Sequence, residues 1–209
     1  MPPTLKIQLL HSIPQKPHAL EILSQINRIE RKTFPASEAF DFSEQSLWRR
    51  KPNTHILFAT LSDDTSTLTP TSTSTPRSTT ITTTTSSSQN AKTPTTSTPS
   101  CPTIIIAYAL YVRHRDTALL HKICVAEPFR GQGFGKQLLA YVIEQQLRRQ
   151  VSGCLAVQLW VDEKREVARR LYGSCGFVEV EGVEDYYGPG RKGVRMVLGL
   201  DGDGDGEGG

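Results

Sequence analysis

The chain has 209 residues, enough for one domain with a buried core and some excess. Hydrophobic residues make up 37%, low for a compact domain, so part of the chain is expected to lie outside any core. A net charge of only +3 gives no electrostatic case for binding nucleic acid or an anionic membrane.

In chain order, the N-terminal stretch carries Pro14 and Pro17 and no long apolar run, so neither a signal peptide nor a membrane span is expected. Leu5, Ile7 and Leu9 alternate as a strand does, and Leu20, Leu23, Ile26 and Ile29 set a helix over His18–Phe34. Asp41 with Glu44 three residues later has the form of a capping box for a short helix through Trp48. The β-rich runs Thr54–Thr60 and Thr103–Val112 flank residues 62–103, which are almost all Thr, Ser and Pro. Such a run offers too little apolar burial to offset chain entropy and is expected to be a disordered, overgrown hairpin loop. Then follow strand Leu119–Val125, helix Gly135–Arg149, strand Leu155–Val161, helix Glu166–Ser174 and strands near Phe177–Val183 and Val194–Leu198. Strands alternating with helices imply a mixed α/β sheet of six to seven strands. Residues 201–209, DGDGDGEGG, imitate the first half of a calcium loop but lack its twelfth-position carboxylate, so a solvated, disordered acidic tail is expected. The cysteines Cys101, Cys124, Cys154 and Cys175 form no CxxC pair, so no metal site is expected. A thiol-reduced cytoplasmic protein follows as the default, with the nucleus also open.

The most informative stretch is FRGQGFGKQLL, residues 129–139, at a strand-to-helix junction. A glycine-rich helix entry is an anion cradle, because missing β-carbons let phosphate oxygens reach backbone N–H groups and the helix dipole favours negative charge. A Walker A loop needs four residues between its glycines, then Lys and Ser or Thr; here Gly131 and Gly135 enclose three, and Gln137 follows Lys136. A dinucleotide or kinase loop needs GxGxxG, which is also missing. The pattern present, Arg130-x-x-Gly133-x-Gly135, resembles the pyrophosphate loop of the GNAT superfamily of acyl-CoA N-acyltransferases. Ala168-Arg169-Arg170-Leu171-Tyr172 followed by Gly176-Phe177 resembles that family's second signature. The likeness runs through about Lys6–Leu198 and implies one GNAT domain over residues 1–200, interrupted by the insert. Its fold is a twisted mixed sheet with flanking helices and a CoA cleft between splayed strands.

The resemblance implies acetyl-CoA as co-substrate. The backbone of Ile123, Cys124 and Val125 would bind pantetheine and polarise the thioester, and the amides of Arg130, Gly131, Gln132, Gly133, Phe134, Gly135 and Lys136 would hold the pyrophosphate. The Lys136 side chain either pairs with phosphate or is solvated. Tyr172 sits at the family's tyrosine position, from which its phenol would protonate the departing thiolate; the other reading is a core tyrosine. Trp160 falls where some N-terminal acetyltransferases carry Glu or His, and an indole accepts no proton. His121 resembles in position a strand histidine of arylalkylamine N-acetyltransferases. With Leu119, His121, Ile123 and Val125 on one strand face it would relay a proton through water, or else it is a structural histidine. Arg165 stands where the family commonly has a cofactor-contacting Asn; it would reach a phosphate or face solvent. Cys124 reads as packing rather than as a covalent nucleophile.

Ile29-Glu30-Arg31 through Phe34-Pro35 resembles the acceptor-groove segment of N-terminal acetyltransferases and also the start of the arylalkylamine enzymes, and Tyr186-Tyr187 resembles the former's peptide-holding tyrosine pair, or else is two hairpin tyrosines packing on the sheet. Phe34, Pro35, Tyr186 and Tyr187 are therefore the candidate acceptor-binding residues. An α-amine, with a pKa of about 7.7–8, costs about 1.2 kcal/mol to deprotonate at pH 7, against about 4.6 kcal/mol for a lysine. A site without a strong base therefore suits a protein or peptide N-terminus. The alternatives are a small-molecule amine, arylalkyl or polyamine, and a non-catalytic CoA-binding module.

Overall fold

The computed structural model describes residues 4–44, 47, 49, 51–62, 103–149 and 153–200. Residues 63–102, the tail 201–209 and most of the expected short helix through Trp48 lie outside the described residues. Of that helix start, Asp41 is seen to accept a hydrogen bond from the Ser43 amide at 2.9 Å.

Seven strands form one mixed sheet in the order β1 (Leu5–Leu9), β2 (Thr54–Leu61), β3 (Ala107–His114), β4 (Thr117–Val125), β5 (Ala156–Asp162), β7 (Gly193–Gly199), β6 (Val178–Val183). Helix α1 (Lys16–Thr33) precedes β2, α2 (Phe134–Tyr141) follows β4, and α3 (Glu166–Gly173) follows β5. All neighbouring strands run antiparallel except β4 and β5. Strands β2 and β3, on either side of the Thr/Ser/Pro run, are antiparallel neighbours from Thr54↔Val112 to Ala59↔Ala107, as a hairpin requires. Among the described residues no helix is long and apolar enough to cross a membrane.

Local chemistry explains where the elements begin and end. Helix α1 starts two residues before the expected His18, since Pro17 is tolerated in a first turn. It ends before Phe34, which precedes Pro35 and takes the extended conformation that a following proline imposes. Strand β3 begins at Ala107 rather than Thr103. Residues 103–105 are instead tied to α1, where Gln25 donates to the Thr103 carbonyl and accepts from the Ile105 amide. The expected long helix after the glycine loop is α-helical only to Tyr141 and continues as a π-helical segment, Val142–Arg148, that keeps Val142, Ile143 and Leu147 buried.

The sheet separates two apolar clusters. On one face α1 packs Ile22, Leu23 and Ile26 against Ile56, Phe58, Tyr108 and Leu110. On the other, Phe134, Leu138 and Tyr172 meet Leu57, Ala109, Leu120 and Leu159. In β4 the alternation changes phase. Ala118 and Leu120 face the α2 side, but so do Ile123 and Val125, while Cys124 faces α1. The register explains this: Tyr111 pairs with Leu120 and Leu110 with Lys122, leaving His121 as a bulge residue. The expectation that Leu119, His121, Ile123 and Val125 share one face is therefore corrected, because one extra residue reverses every side chain beyond it.

A buried polar cluster binds α1 to the sheet beside this bulge. Glu30 is fully buried and accepts from the Tyr108 hydroxyl, from the Phe40 amide at 2.8 Å and from Lys122 Nζ at 3.0 Å. Truncating one member of such a pair leaves the other charge buried and unpaired. Glu30→Ala should therefore lower the unfolding free energy by about 3–5 kcal/mol, as read from urea denaturation.

Candidate functional site

Strands β4 and β5 pair only from Thr117–Leu119 to Ala156–Gln158. Beyond that point they diverge, and two cavities meet in the gap. A groove of about 810 Å³ is lined by the end of β4 (Ile123, Cys124, Val125), the glycine loop and the start of α3. A cavity of about 330 Å³ is lined by Leu119–Ile123 of β4, Trp160–Asp162 of β5, Tyr172 of α3 and the loop tyrosines Tyr186 and Tyr187. Phe34, Ile123, Arg165 and Ala168 line both and mark the junction.

The glycine loop lines the groove. Gly133 is the N-cap of α2 with φ of 82°, a left-handed conformation that strains any side chain, and a β-carbon there would project into open space. No described backbone carbonyl accepts from the amides of residues 131–136, so these N–H groups point out at a helix N-terminus. Gly135 is required for a different reason. A β-carbon there would lie 3.3 Å from Leu171 Cδ2, so the missing side chain lets α2 approach α3.

Around this cradle the expected residues divide. Gly131, Gly133, Phe134, Gly135 and Lys136 line the groove. Arg130 lines it too, but its guanidinium turns back, donating to the Val125 carbonyl and to Thr33 Oγ1, both at 3.0 Å. Gln132 is not among the lining residues; its amide donates to the Pro128 carbonyl. Cys124 is buried, and burial raises its thiol pKa, so it sits as a neutral packing group in contact with Thr33.

In the smaller cavity Tyr172 is only 9% exposed. Burial pushes its phenol up to about 12, partly countered by the Arg165 charge, so the ring stays protonated across the physiological range. No described group hydrogen-bonds its hydroxyl. His121 lies on the cavity wall and is exposed; burial of the ring, with the nearby His114 and Lys122 charges, holds its pKa below the ordinary value. Its imidazole is thus neutral at pH 7. Pro35 lines neither cavity, while its neighbour Phe34 lies under the Lys122 ammonium at 3.9 Å and the Arg165 guanidinium at 4.8 Å.

Three charged residues that the sequence reading missed organise this cavity. Glu38 accepts from Arg165 at 2.9 Å and from Arg191 at 2.5 Å, and its backbone carbonyl accepts from Lys122 at 2.6 Å. Arg191 also holds Asp162, which is 3% exposed, at 2.5 Å. Burial alone would raise the Asp162 pKa; the Lys164 amide, Arg191 and Arg165 outweigh it and the carboxyl is held low. Arg165, expected to reach a phosphate or face solvent, lines the groove while its guanidinium pairs with Glu38 and lies over the Phe34 ring. Glu38 and Arg191 stand 153 positions apart, and no spacing rule links them.

Residues 97–177 match the model of the acetyltransferase (GNAT) family. A [ribosomal protein bS18]-alanine N-acetyltransferase from Haemophilus ducreyi is 34% identical over 83 residues, 40% of this chain and 55% of that protein. The chain thus spans about half the length of this curated relative. Among solved structures, the ribosomal-protein-S18-alanine N-acetyltransferase from Escherichia coli superposes with a TM-score of 0.60 at 18% identity, over 99% of this chain and 100% of that one. Arabidopsis thaliana NAA60, in complex with a bisubstrate analogue, gives 0.62 at 15% identity over 95% and 99%. At such identities the superpositions speak for the fold alone. The strand splay, the glycine cradle and the match over residues 97–177 together make this part of the chain similar to the acetyltransferase (GNAT) family.

Proposed function

We propose that this protein transfers an acetyl group from acetyl-CoA to the α-amine of a protein or peptide N-terminus by direct attack on the thioester. The observation that carries the reading is the meeting of two differently built cavities between the unpaired ends of β4 and β5. The larger groove, with its open amides and bare Gly133, suits the pyrophosphate and pantetheine of acetyl-CoA. The smaller cavity suits the acceptor, and Phe34 and Ile123 at the junction bracket the reacting carbon. Backbone amides that β5 leaves unpaired on β4 would polarise the thioester carbonyl. The amine nitrogen attacks that carbonyl, the C–S bond breaks, and Tyr172 gives its proton to the departing sulfur. His121, neutral in the bulge, takes the proton from the amine through water.

A specific observation weighs against a polyamine acceptor. Holding a polycation takes uncompensated carboxylates, yet Glu38 and Asp162 are each already paired with arginine. An α-amine needs no such partner, since enough of it is neutral near pH 7.

Four outcomes test the reading. Gly133→Glu places bulk and negative charge in the cradle and should abolish acetyl-CoA binding in calorimetry; wild-type affinity would refute the cofactor site. Tyr172→Phe should keep that affinity and slow kcat by about 10²–10⁴-fold. In the wild type, kcat/KM should rise with deprotonation of the acceptor near pH 8 and then stay level to about pH 10, because the raised Tyr172 pKa keeps the acid protonated. Glu38→Ala releases Arg165 and Arg191 and should raise the acceptor KM by about tenfold, with the acetyl-CoA dissociation constant unchanged.

A further inference from the structure

Trp160 is the residue of the cavity that the proposed chemistry leaves without a task. It projects from β5 on the same face as Asp162, is half-buried, and lines the smaller cavity. Its indole stacks on the Tyr186 ring, with centroids 4.4 Å apart and planes 11° from parallel, and Tyr187 meets Tyr186 edge-on at 4.9 Å. Such an arrangement costs ordering free energy on an exposed loop, and Tyr186 is 47% exposed.

The backbone beneath is shaped for this stack. Gly193 begins β7 opposite Asp162, and a β-carbon there would lie 2.7 Å from Tyr186 Cγ and 2.8 Å from its Cβ and Cδ1. Those atoms are the root of the side chain, so the ring could not evade the clash by rotating its tip. The absence of a side chain at 193 is what lets the Tyr186 ring lie against the strand, beside Trp160.

The charged lining of the same cavity is already committed. Glu38 and Asp162 hold Arg165 and Arg191, and Lys122 is paired with Glu30. The recognition surface left for an acceptor's side chain is therefore aromatic and uncharged. We infer that Trp160, stacked with Tyr186 over Gly193, is a specificity-determining shelf that receives a large apolar or aromatic side chain from one of the acceptor's first two residues. The inference rests on the proposed acetyl transfer to peptide N-termini and names the class of N-terminus. An indole accepts no proton but offers a wide apolar face, so at this position it selects rather than catalyses.

The test uses the full chain, acetyl-CoA and short peptides with Ala at the first two positions, or with Leu, Phe, Asp or Lys replacing either one. The wild type should favour Leu or Phe over Ala by about ten- to a hundredfold in kcat/KM, the range expected for burying one such side chain. In Trp160→Ala that ratio should collapse towards one, whatever happens to the Ala-Ala rate, and Trp160→Phe should restore part of it. Gly193→Ala, which dislodges Tyr186 without touching the indole, should reduce the same ratio. Equal losses for every peptide in Trp160→Ala, or no apolar preference in the wild type, would overturn the shelf. If no peptide is acetylated, the proposed function fails separately, and the shelf is read from phenylethylamine against ethylamine. A preference for the aryl amine that disappears in Trp160→Ala keeps the shelf, and equal rates in the wild type remove it.

Discussion

The site depends on one constraint: β4 and β5 run parallel and hold together over three residue pairs before they part. A parallel pair has no hairpin turn to close its far end, and here each strand finds other partners beyond the splay. Strand β3 continues beside β4 to Val125, and β7 continues beside β5 to Asp162. The gap is thus held open by pairing on its outer sides, and the backbone edges that face it are left without sheet partners. A groove with open amides on one side and a side-chain-lined cavity on the other is the direct consequence.

Something must then hold the two halves in register across the gap, and charge does so. The segment after α1 crosses from the β4 side to the β5 side. Its Glu38 takes Lys122 through the backbone carbonyl and Arg165 and Arg191 through the carboxylate. The cations and carboxylates compensate one another, so the network orders the cavity without making it strongly charged. With its charges paired, the cavity keeps the aromatic rings of Phe34, Trp160, Tyr186 and Tyr187 as its uncharged lining. The fully buried Glu30, joined to Tyr108 and Lys122, anchors the other end of this arrangement to the sheet.

Legibility in the sequence followed the range of the interaction responsible. The glycine loop could be read because its signal is local: three glycines in five residues, with Gly133 as a left-handed helix cap. The alternation of strands and helices was equally legible, since each element's apolar period lies within its own residues. What misled was mostly set by distant partners. Pro35 ended α1 a residue early, Gln25 replaced the first strand bonds of 103–105, and a single extra residue at His121 reversed the expected face of β4. A bulge leaves almost no compositional trace, because it is defined by the partner strand's register.

By itself, then, the amino-acid sequence determined most of the elements and the glycine-rich helix entry, because each follows from residues within one turn or one strand. Only the tertiary structure decided which way His121 and Arg130 point and that Arg165 pairs with Glu38. It also decided that Trp160, Tyr186 and Gly193 form one surface. Those relations join residues distant along the chain through the splay of two strands, and pairing geometry in three dimensions has no counterpart in sequence spacing.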